Sequence, residues 1–85
     1  MSETREITLK RLKMRSWRRG MKEMDLILGP FSDGPLKAQD DAFLVRFDAL
    51  LNEYDPDLYR WFSGQVPAPA EHADTIQTVL DNRPL

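Results

Sequence analysis

The sequence predicts an all-α protein, folded as a compact bundle of about five short helices. Apolar residues recur at spacings of three and four along almost the whole chain, and no strand-like alternation persists. Gly and Pro residues separate the apolar segments, at positions typical of helix ends. The length of 85 residues supports a single domain over residues 1–85. We expect its ends, residues 1–6 and 82–85, to be frayed.

The first two predicted helices carry short apolar stripes. The first helix covers about residues 8–17, with Leu9 and Leu12 on one face. The second helix follows Gly20, and we expect Gly29-Pro30 to weaken or kink its end because Pro lacks an amide donor and crowds the preceding turn. The stripe of this second helix consists of Met21, Met24, Leu28 and Phe31.

The third predicted helix has the strongest amphipathic pattern. Asp40 and Asp41 lie in its first turn, where the helix dipole favours negative charge. Its apolar face consists of Phe43, Phe47, Leu50, Leu51 and Tyr54.

The next segment, Asp55-Pro56-Asp57, predicts the start of a fourth helix. Asp55 suits the N-cap and Pro56 suits the first helical position, while Gly64 predicts the end. The predicted buried face of this helix is Leu58, Trp61 and Phe62. After a connector with two prolines, a last helix carries Ala73, Ile76, Val79 and Leu80.

The composition excludes several kinds of chemistry. The chain has no Cys, which rules out disulfides, Cys-ligated zinc, iron–sulfur clusters and thiol nucleophiles. Its one histidine, His72, argues against a His-rich metal site and against a Ser–His–Asp triad. We interpret His72 as an exposed residue at a helix end. The sequence therefore predicts no catalytic residue and no metal site.

The hydropathy pattern indicates where in the cell the protein is located. No apolar run approaches the roughly 20 residues needed to span a bilayer. The first six residues carry two acids and no apolar stretch, unlike a secretory signal. We expect a cytoplasmic protein that does not insert into membranes.

Charge is distributed unevenly along the chain. Residues 1–37 hold nine bases and five acids, whereas residues 38–85 hold three bases and nine acids. The segment from Lys10 to Lys22 contains seven bases and no acid. Such a bipolar chain suggests a directional binding face.

The basic segment ends in Arg19-Gly20-Met21-Lys22-Glu23, which allows two interpretations. If Gly20 is an N-cap, Glu23 closes a capping box at the third helical position, and Arg19 and Glu23 form a surface ion pair worth about 0.3–0.5 kcal/mol. Alternatively, these residues form a recognition surface. A Gly lets another backbone approach closely, and the flanking Arg and Glu offer hydrogen-bond donors and acceptors within one turn.

Two stretches resemble a known family. Residues 15–28, RSWRRGMKEMDLIL, resemble the succinate dehydrogenase assembly factors, or flavinylation factors, in their bacterial form. The family hallmark is Arg-Gly-x-x-Glu, followed by an apolar residue and Asp. Residues 47–64 resemble the family's second signature, a Leu-Leu pair, an acidic turn and a short aromatic helix. The resemblance covers about residues 8–81.

The resemblance implies an assembly chaperone rather than an enzyme. Family members are small five-helix proteins that bind the flavoprotein subunit of succinate dehydrogenase and promote covalent attachment of FAD to a His of that partner. The flavoprotein of fumarate reductase is a further candidate partner. Because the partner and its flavin carry the chemistry, the chain is expected to bind no cofactor itself and to be a monomer when free.

The resemblance also implies which residues bind the partner. Residues that match the hallmark motif should lie at the interface, and the basic first helix should extend it. These predicted partner-binding residues are Arg19, Gly20, Glu23, Asp25, Arg15 and Lys22.

Two other function classes remain open at this point. A regulatory, antitoxin-like protein-binding module would need no flavin chemistry. In a nucleic-acid binder, the segment from Lys10 to Lys22 would contact phosphates, and Trp17 would stack on a base. The pattern fits Trp17 equally well to the core or to an interface. The net charge of −2 and the acidic second half argue against a polyanionic partner.

Overall fold

Residues 3–83, which a computed structural model describes, form five α-helices and no β-strand. The predicted fold class is thereby confirmed. The outermost parts of the predicted frayed ends, residues 1–2 and 84–85, lie outside the described residues. No helix in residues 3–83 is long and apolar enough to cross a membrane. The helices are α1 (Arg5–Ser16), α2 (Lys22–Asp33), α3 (Asp41–Leu50), α4 (Asp55–Phe62) and α5 (Ala70–Asp81), with a 3-10 helix at Pro35–Ala38 between α2 and α3.

Helix α1 begins at Arg5, earlier than the predicted start at residue 8. The Thr4 hydroxyl caps it by accepting a hydrogen bond from the Ile7 amide at 3.2 Å. The Arg5 side chain also pairs with Asp41 at the start of α3. Arg5 and Glu6, which the sequence places in a frayed end, are therefore helical.

Helix α2 continues through Pro30 and ends at Asp33. Gly29-Pro30, which the sequence predicts to weaken or kink the end of this helix, does not end it. Pro30 forfeits one backbone hydrogen bond, but Leu28 and Phe31 on either side of it are fully buried. Their packing against the core stabilises the turn that Pro30 weakens.

Helix α3 begins as predicted but ends before its predicted last apolar residue. Asp40 caps the helix by accepting a hydrogen bond from the Phe43 amide at 2.8 Å. The helix ends at Leu50, so Tyr54 does not continue its face and is 71% exposed.

Helix α4 begins at Asp55, and its N-cap is Tyr54 rather than Asp55. No side-chain cap hydrogen bond forms there, because the Asp55 carboxylate binds a different segment, described below. Pro56 occupies the first turn as predicted, and Gly64, with φ of +80°, follows the end of the helix.

All five helices contribute to one hydrophobic core. Phe31, Phe43 and Phe47 form its aromatic centre, with ring centroids 5.4 to 6.0 Å apart. Leu36, in the unpredicted 3-10 helix, is fully buried in the same core. The other buried apolar residues are Leu12, Met24, Leu28, Leu44, Leu50, Leu51, Leu58, Phe62, Ile76 and Val79.

His72 is buried, with 4% of its surface exposed, which contradicts its interpretation as an exposed helix-end residue. It lies four residues before Ile76 and seven before Val79, so it shares their inward face of α5. Its Nε2 lies 2.6 Å from Oε2 of Glu53 in the loop between α3 and α4.

Ion pairs between the two halves of the chain neutralise much of the excess positive charge of the first half with carboxylates of the second. Basic residues of α1 and of the segment after it reach carboxylates on α3 and α4. A cluster of bases in the sequence therefore does not become a cluster of unpaired cations on the surface. The pairs are Arg5–Asp41, Arg11–Asp48, Arg15–Asp48 and Arg19–Asp55.

The pair between Arg11 and Asp48 predicts a loss of stability in acid. Arg11 donates two hydrogen bonds, of 2.9 and 3.0 Å, to the Asp48 carboxylate, and these bonds lower the pKa of Asp48. A lowered pKa contributes stability that is complete above the unfolded-state value of about 3.9 and disappears as the pH falls through the folded-state value. The difference in unfolding free energy between wild type and Asp48→Asn should therefore shrink from pH 6 to pH 3. Urea titrations followed by circular dichroism measure it, and a constant difference would contradict the prediction.

Candidate functional site

The segment between α1 and α2, residues 17–21, forms a tight turn that we call the Arg19 turn. Asp25 of α2 holds it by accepting hydrogen bonds from the backbone amides of Arg18 and Arg19. Arg18 has φ of +60°, a left-handed conformation that is uncommon for a non-Gly residue. The two hydrogen bonds to Asp25 stabilise this backbone conformation, so Asp25 anchors the turn to the first part of α2.

The Arg19 side chain points into the protein, with 11% of its surface exposed. Its Nε donates to Oδ1 of Asp55 at 2.9 Å. Its Nη1 donates to the carbonyls of Arg15, at 3.1 Å, and Leu51, at 3.0 Å, and its Nη2 donates to the Glu53 carbonyl at 3.3 Å. Arg19 therefore ties the turn to the loop between α3 and α4.

Asp55 completes this link. Its second oxygen, Oδ2, accepts a hydrogen bond from the Met21 amide at 3.1 Å. Asp55 is only 8% exposed, so both of its oxygens serve the Arg19 turn rather than solvent or its own helix. The sequence pattern does not reveal this role, because an Asp before Pro is also a standard helix start. The acidic turn in the second family-like stretch was the only available signal.

Glu23 and Lys22 project from the first turn of α2 and are both exposed. The N-cap of α2 is Met21, not Gly20, and no side-chain cap bond forms. The capping-box interpretation of Glu23 is therefore wrong. The prediction of an Arg19–Glu23 ion pair is also wrong, because the Arg19 guanidinium pairs with the Asp55 carboxylate.

The Arg19 turn and the α3–α4 loop enclose an open groove of about 840 Å³. Of the predicted partner-binding residues, Arg15, Arg19 and Gly20 line it, whereas Lys22, Glu23 and Asp25 lie outside its lining. Two exposed apolar side chains, Met14 at 76% and Tyr54 at 71%, also line it, although the sequence predicts Tyr54 on the apolar face of the third helix. The full lining comprises residues 14–15, 17–21 and 52–56.

Gly20 presents bare backbone at this groove. A Cβ added there would lie 3.4 Å from Oδ2 of Asp55, an ordinary contact distance. Positive φ among the described glycines occurs at Gly64, not at Gly20. The fold itself therefore accommodates a side chain at residue 20, and the open backbone is accessible to another chain.

Trp17 serves both the core and the groove. Its ring covers Gly29 of α2, where an added Cβ would lie 2.4 Å from the ring. Its Nε1 donates to Oδ1 of Asp33 at 3.1 Å, and the same side chain lines the groove.

The predicted basic segment is largely neutralised. Five of its seven cations have carboxylate partners, including Lys10 with Glu6 and Lys13 with Asp33. Only Arg18 and Lys22 of this segment have none within residues 3–83. A nucleic-acid interface needs unpaired cations aimed at phosphates, so this arrangement argues against one.

Comparison with known proteins identifies the family. A family model described as "Flavinator of succinate dehydrogenase" matches residues 10–82. The chain is 40% identical over 77 residues to the protein named succinate dehydrogenase assembly factor 2, mitochondrial, of Mycosarcoma maydis, and 40% identical over 67 residues to the Schizosaccharomyces pombe protein of the same name. The Drosophila grimshawi protein of that name is 36% identical over 72 residues.

These matches include most of this chain but only part of each relative. They cover 91%, 79% and 82% of the chain, and 32%, 48% and 49% of the three relatives. The family match spans the second half of α1, from residue 10, and the whole of α2 to α5, together with the Arg19 turn and the α3–α4 loop that encloses the groove. The chain belongs to the family of flavinators of succinate dehydrogenase.

Proposed function

We propose that this protein is an assembly factor that binds the flavoprotein subunit of succinate dehydrogenase and promotes covalent attachment of FAD to that subunit. The observation that carries the proposal is the family match over residues 10–82, which includes the Arg19 turn and its groove. The names of the similar eukaryotic proteins describe the same assembly role.

The geometry of the groove suits protein recognition. Asp25 and Asp55 hold the Arg19 turn in one conformation, so little ordering entropy is lost when a partner binds. Met14 and Tyr54 supply exposed apolar surface, of the residue types that interfaces favour. In this arrangement Arg19 supports the interface from inside, while the backbone at Gly20 faces the partner.

Glu23 and Lys22 extend this interface beyond the groove. Both are exposed at the start of α2, beside the turn, and Glu23 forms no ion pair within residues 3–83. Their opposite charges can select a complementary partner surface, since charged rims contribute specificity more than affinity. We assign Glu23 to direct contact with the flavoprotein.

We assign bond formation to the flavoprotein and its flavin, which this chain would not hold itself. Holding two reacting groups in the correct orientation lowers a barrier by up to about 7–11 kcal/mol. A factor that stabilises the reactive conformation of its partner therefore needs no catalytic group of its own.

The remaining parts of the proposal concern location and further partners. We propose that the free protein is a monomer in the cytoplasm, although the similar eukaryotic proteins are named mitochondrial. The flavoprotein of fumarate reductase is a second candidate partner, which the same assay can test.

The function is tested by the fluorescence of covalently bound flavin in the denatured flavoprotein, resolved on a gel. Cells that lack the gene should show a reduced signal, and cells that regain it should recover the signal. An equal signal with and without the gene would contradict the proposal.

Replacing Glu23 with Ala should lower the covalent flavin signal about tenfold, the effect of losing roughly 1.4 kcal/mol of binding. Glu6→Ala is the matched control, because Glu6 and Glu23 are both exposed and both occupy the second position of a helix. The two variants should lose equally little helix-dipole stabilisation by circular dichroism and urea unfolding, and Glu6→Ala also loses the exposed pair with Lys10, worth at most about 0.5 kcal/mol. A wild-type flavin signal with Glu23→Ala would remove Glu23 from the interface.

A further inference from the structure

Three potential metal ligands meet where the α3–α4 loop approaches the start of α5. They are Glu53, Glu71 and His72, and one ligand atom of each lies within 4.8 Å of the other two. Glu53 lies 19 residues before His72, so only the folded chain brings these groups together. The proposed function above does not use this cluster.

His72 is held in a fixed orientation. The residue is 4% exposed, and its ring packs beside Trp61 with the ring centroids 5.9 Å apart. Its Nε2 lies 2.6 Å from Oε2 of Glu53. The buried imidazole is therefore held in place beside the Glu53 carboxylate, where it presents a preorganised first ligand.

The cluster concentrates negative charge. It sets two carboxylates, of Glu53 and Glu71, beside one imidazole. Neither carboxylate forms an ion pair with Lys or Arg anywhere in residues 3–83, although most cations of the basic segment are paired. A divalent cation would balance this charge within the cluster.

We propose that His72, Glu53 and Glu71 form a binding site for Zn²⁺, with water as the fourth ligand. One imidazole and two carboxylates are ligand types that Zn²⁺ accepts, at bond lengths of about 2.0–2.2 Å, which place tetrahedral ligand atoms about 3.4 Å apart. The His72–Glu53 pair must therefore open slightly and Glu71 must move inward. The Glu53 side chain is 37% exposed and Glu71 is exposed, so both have room to adjust.

A metal ion there would act on the loop that supports the Arg19 turn. The backbone carbonyl of Glu53 accepts a hydrogen bond from Nη2 of Arg19 at 3.3 Å, and Glu53 also lines the groove. The backbone of Glu53 is already held by Arg19, and coordination of the metal would hold its side chain as well. The metal would thereby restrict the motion of the α3–α4 loop, which lines the groove, although Glu71 and His72 do not line the groove themselves.

The test is direct titration of the full chain with zinc after removal of metals by a chelator. Isothermal titration should show one saturable Zn²⁺ site, and Co²⁺ should give the visible absorption of a low-coordinate site. Glu71→Gln should weaken Zn²⁺ binding at least tenfold, because even outer-sphere partners of a metal ligand contribute about 10–100-fold. Glu71 is exposed, so this variant should fold normally.

Asp74→Asn is the matched control, since Asp74 is an exposed carboxylate on the same helix and lies outside the cluster. It should bind Zn²⁺ as wild type does. Absence of a saturable site in wild type would overturn the proposal. Equal weakening, or equal retention, of binding in the two variants would overturn it as well, because zinc would then respond only to general surface charge.

Discussion

Replacing Asp55 with Asn is expected to lower the free energy of unfolding by about 3 kcal/mol, since removing one member of a buried ion pair typically costs 3–5 kcal/mol. The side chains of Arg19 and Asp55 are only 11% and 9% exposed. Without the carboxylate, the Arg19 charge stays buried among neutral acceptors alone, which are the amide oxygen that the substitution leaves and the backbone carbonyls of Arg15, Leu51 and Glu53. These carbonyls retain part of its solvation, so we place the loss at the lower end of the range.

Urea unfolding measures this loss, and Asp57→Asn provides the control. Asp57 lies two residues further along the same helix and pairs with Arg60, but both side chains are about half exposed. Its loss should cost no more than about 0.5 kcal/mol. A double-mutant cycle of Asp55→Asn with Arg19→Met should give a coupling energy of at least about 1 kcal/mol. Equal effects of Asp55→Asn and Asp57→Asn would show that the inward pair contributes no more than a surface pair.

Replacing Gly29 with Ala is expected to destabilise the protein by about 1–3 kcal/mol through overpacking. In an ordinary helix interior this change is stabilising by about 0.5–1 kcal/mol. At residue 29, however, the new methyl group would lie 2.4 to 2.5 Å from ring atoms of Trp17. The ring must move, and with it the hydrogen bond from Trp17 to Asp33.

Gly34→Ala is the matched control, because a Cβ at residue 34 meets no atom within 4 Å. Its unfolding free energy should stay within about 0.5 kcal/mol of wild type. In a Trp61→Phe background Trp17 is the one remaining Trp of the sequence, and Gly29→Ala should shift its emission to longer wavelength as the ring becomes exposed. Greater stability of Gly29→Ala, with unchanged emission, would contradict the close packing of Trp17 on Gly29.

The helices were predictable because their signal is local. Spacing of three and four residues located the five helices, and Leu12, Phe47, Leu58 and Val79 are fully buried as their stripes require. The same periodicity, applied to His72, would have placed it on the inward face with Ile76.

Helix ends were less predictable because several residues can satisfy the same local rule. Asp55 suits an N-cap, yet its carboxylate binds the Arg19 turn and leaves the helix without a side-chain cap. Pro30 suits a helix end, yet burial of Leu28 and Phe31 carries the helix past it. In both cases the tertiary contact stabilises the observed structure by more free energy than the local preference would contribute.

The sequence by itself determined the all-α class, the position of the hallmark motif and the family to which the chain belongs. Only the tertiary structure decided which charges meet. Arg19 is paired with Asp55, 36 residues away, rather than with Glu23, and Glu23 is left exposed beside the groove. The reason is physical. A helical repeat depends on neighbours within one or two turns, whereas an ion pair depends on distance in space and on shared burial, which the packed helices create.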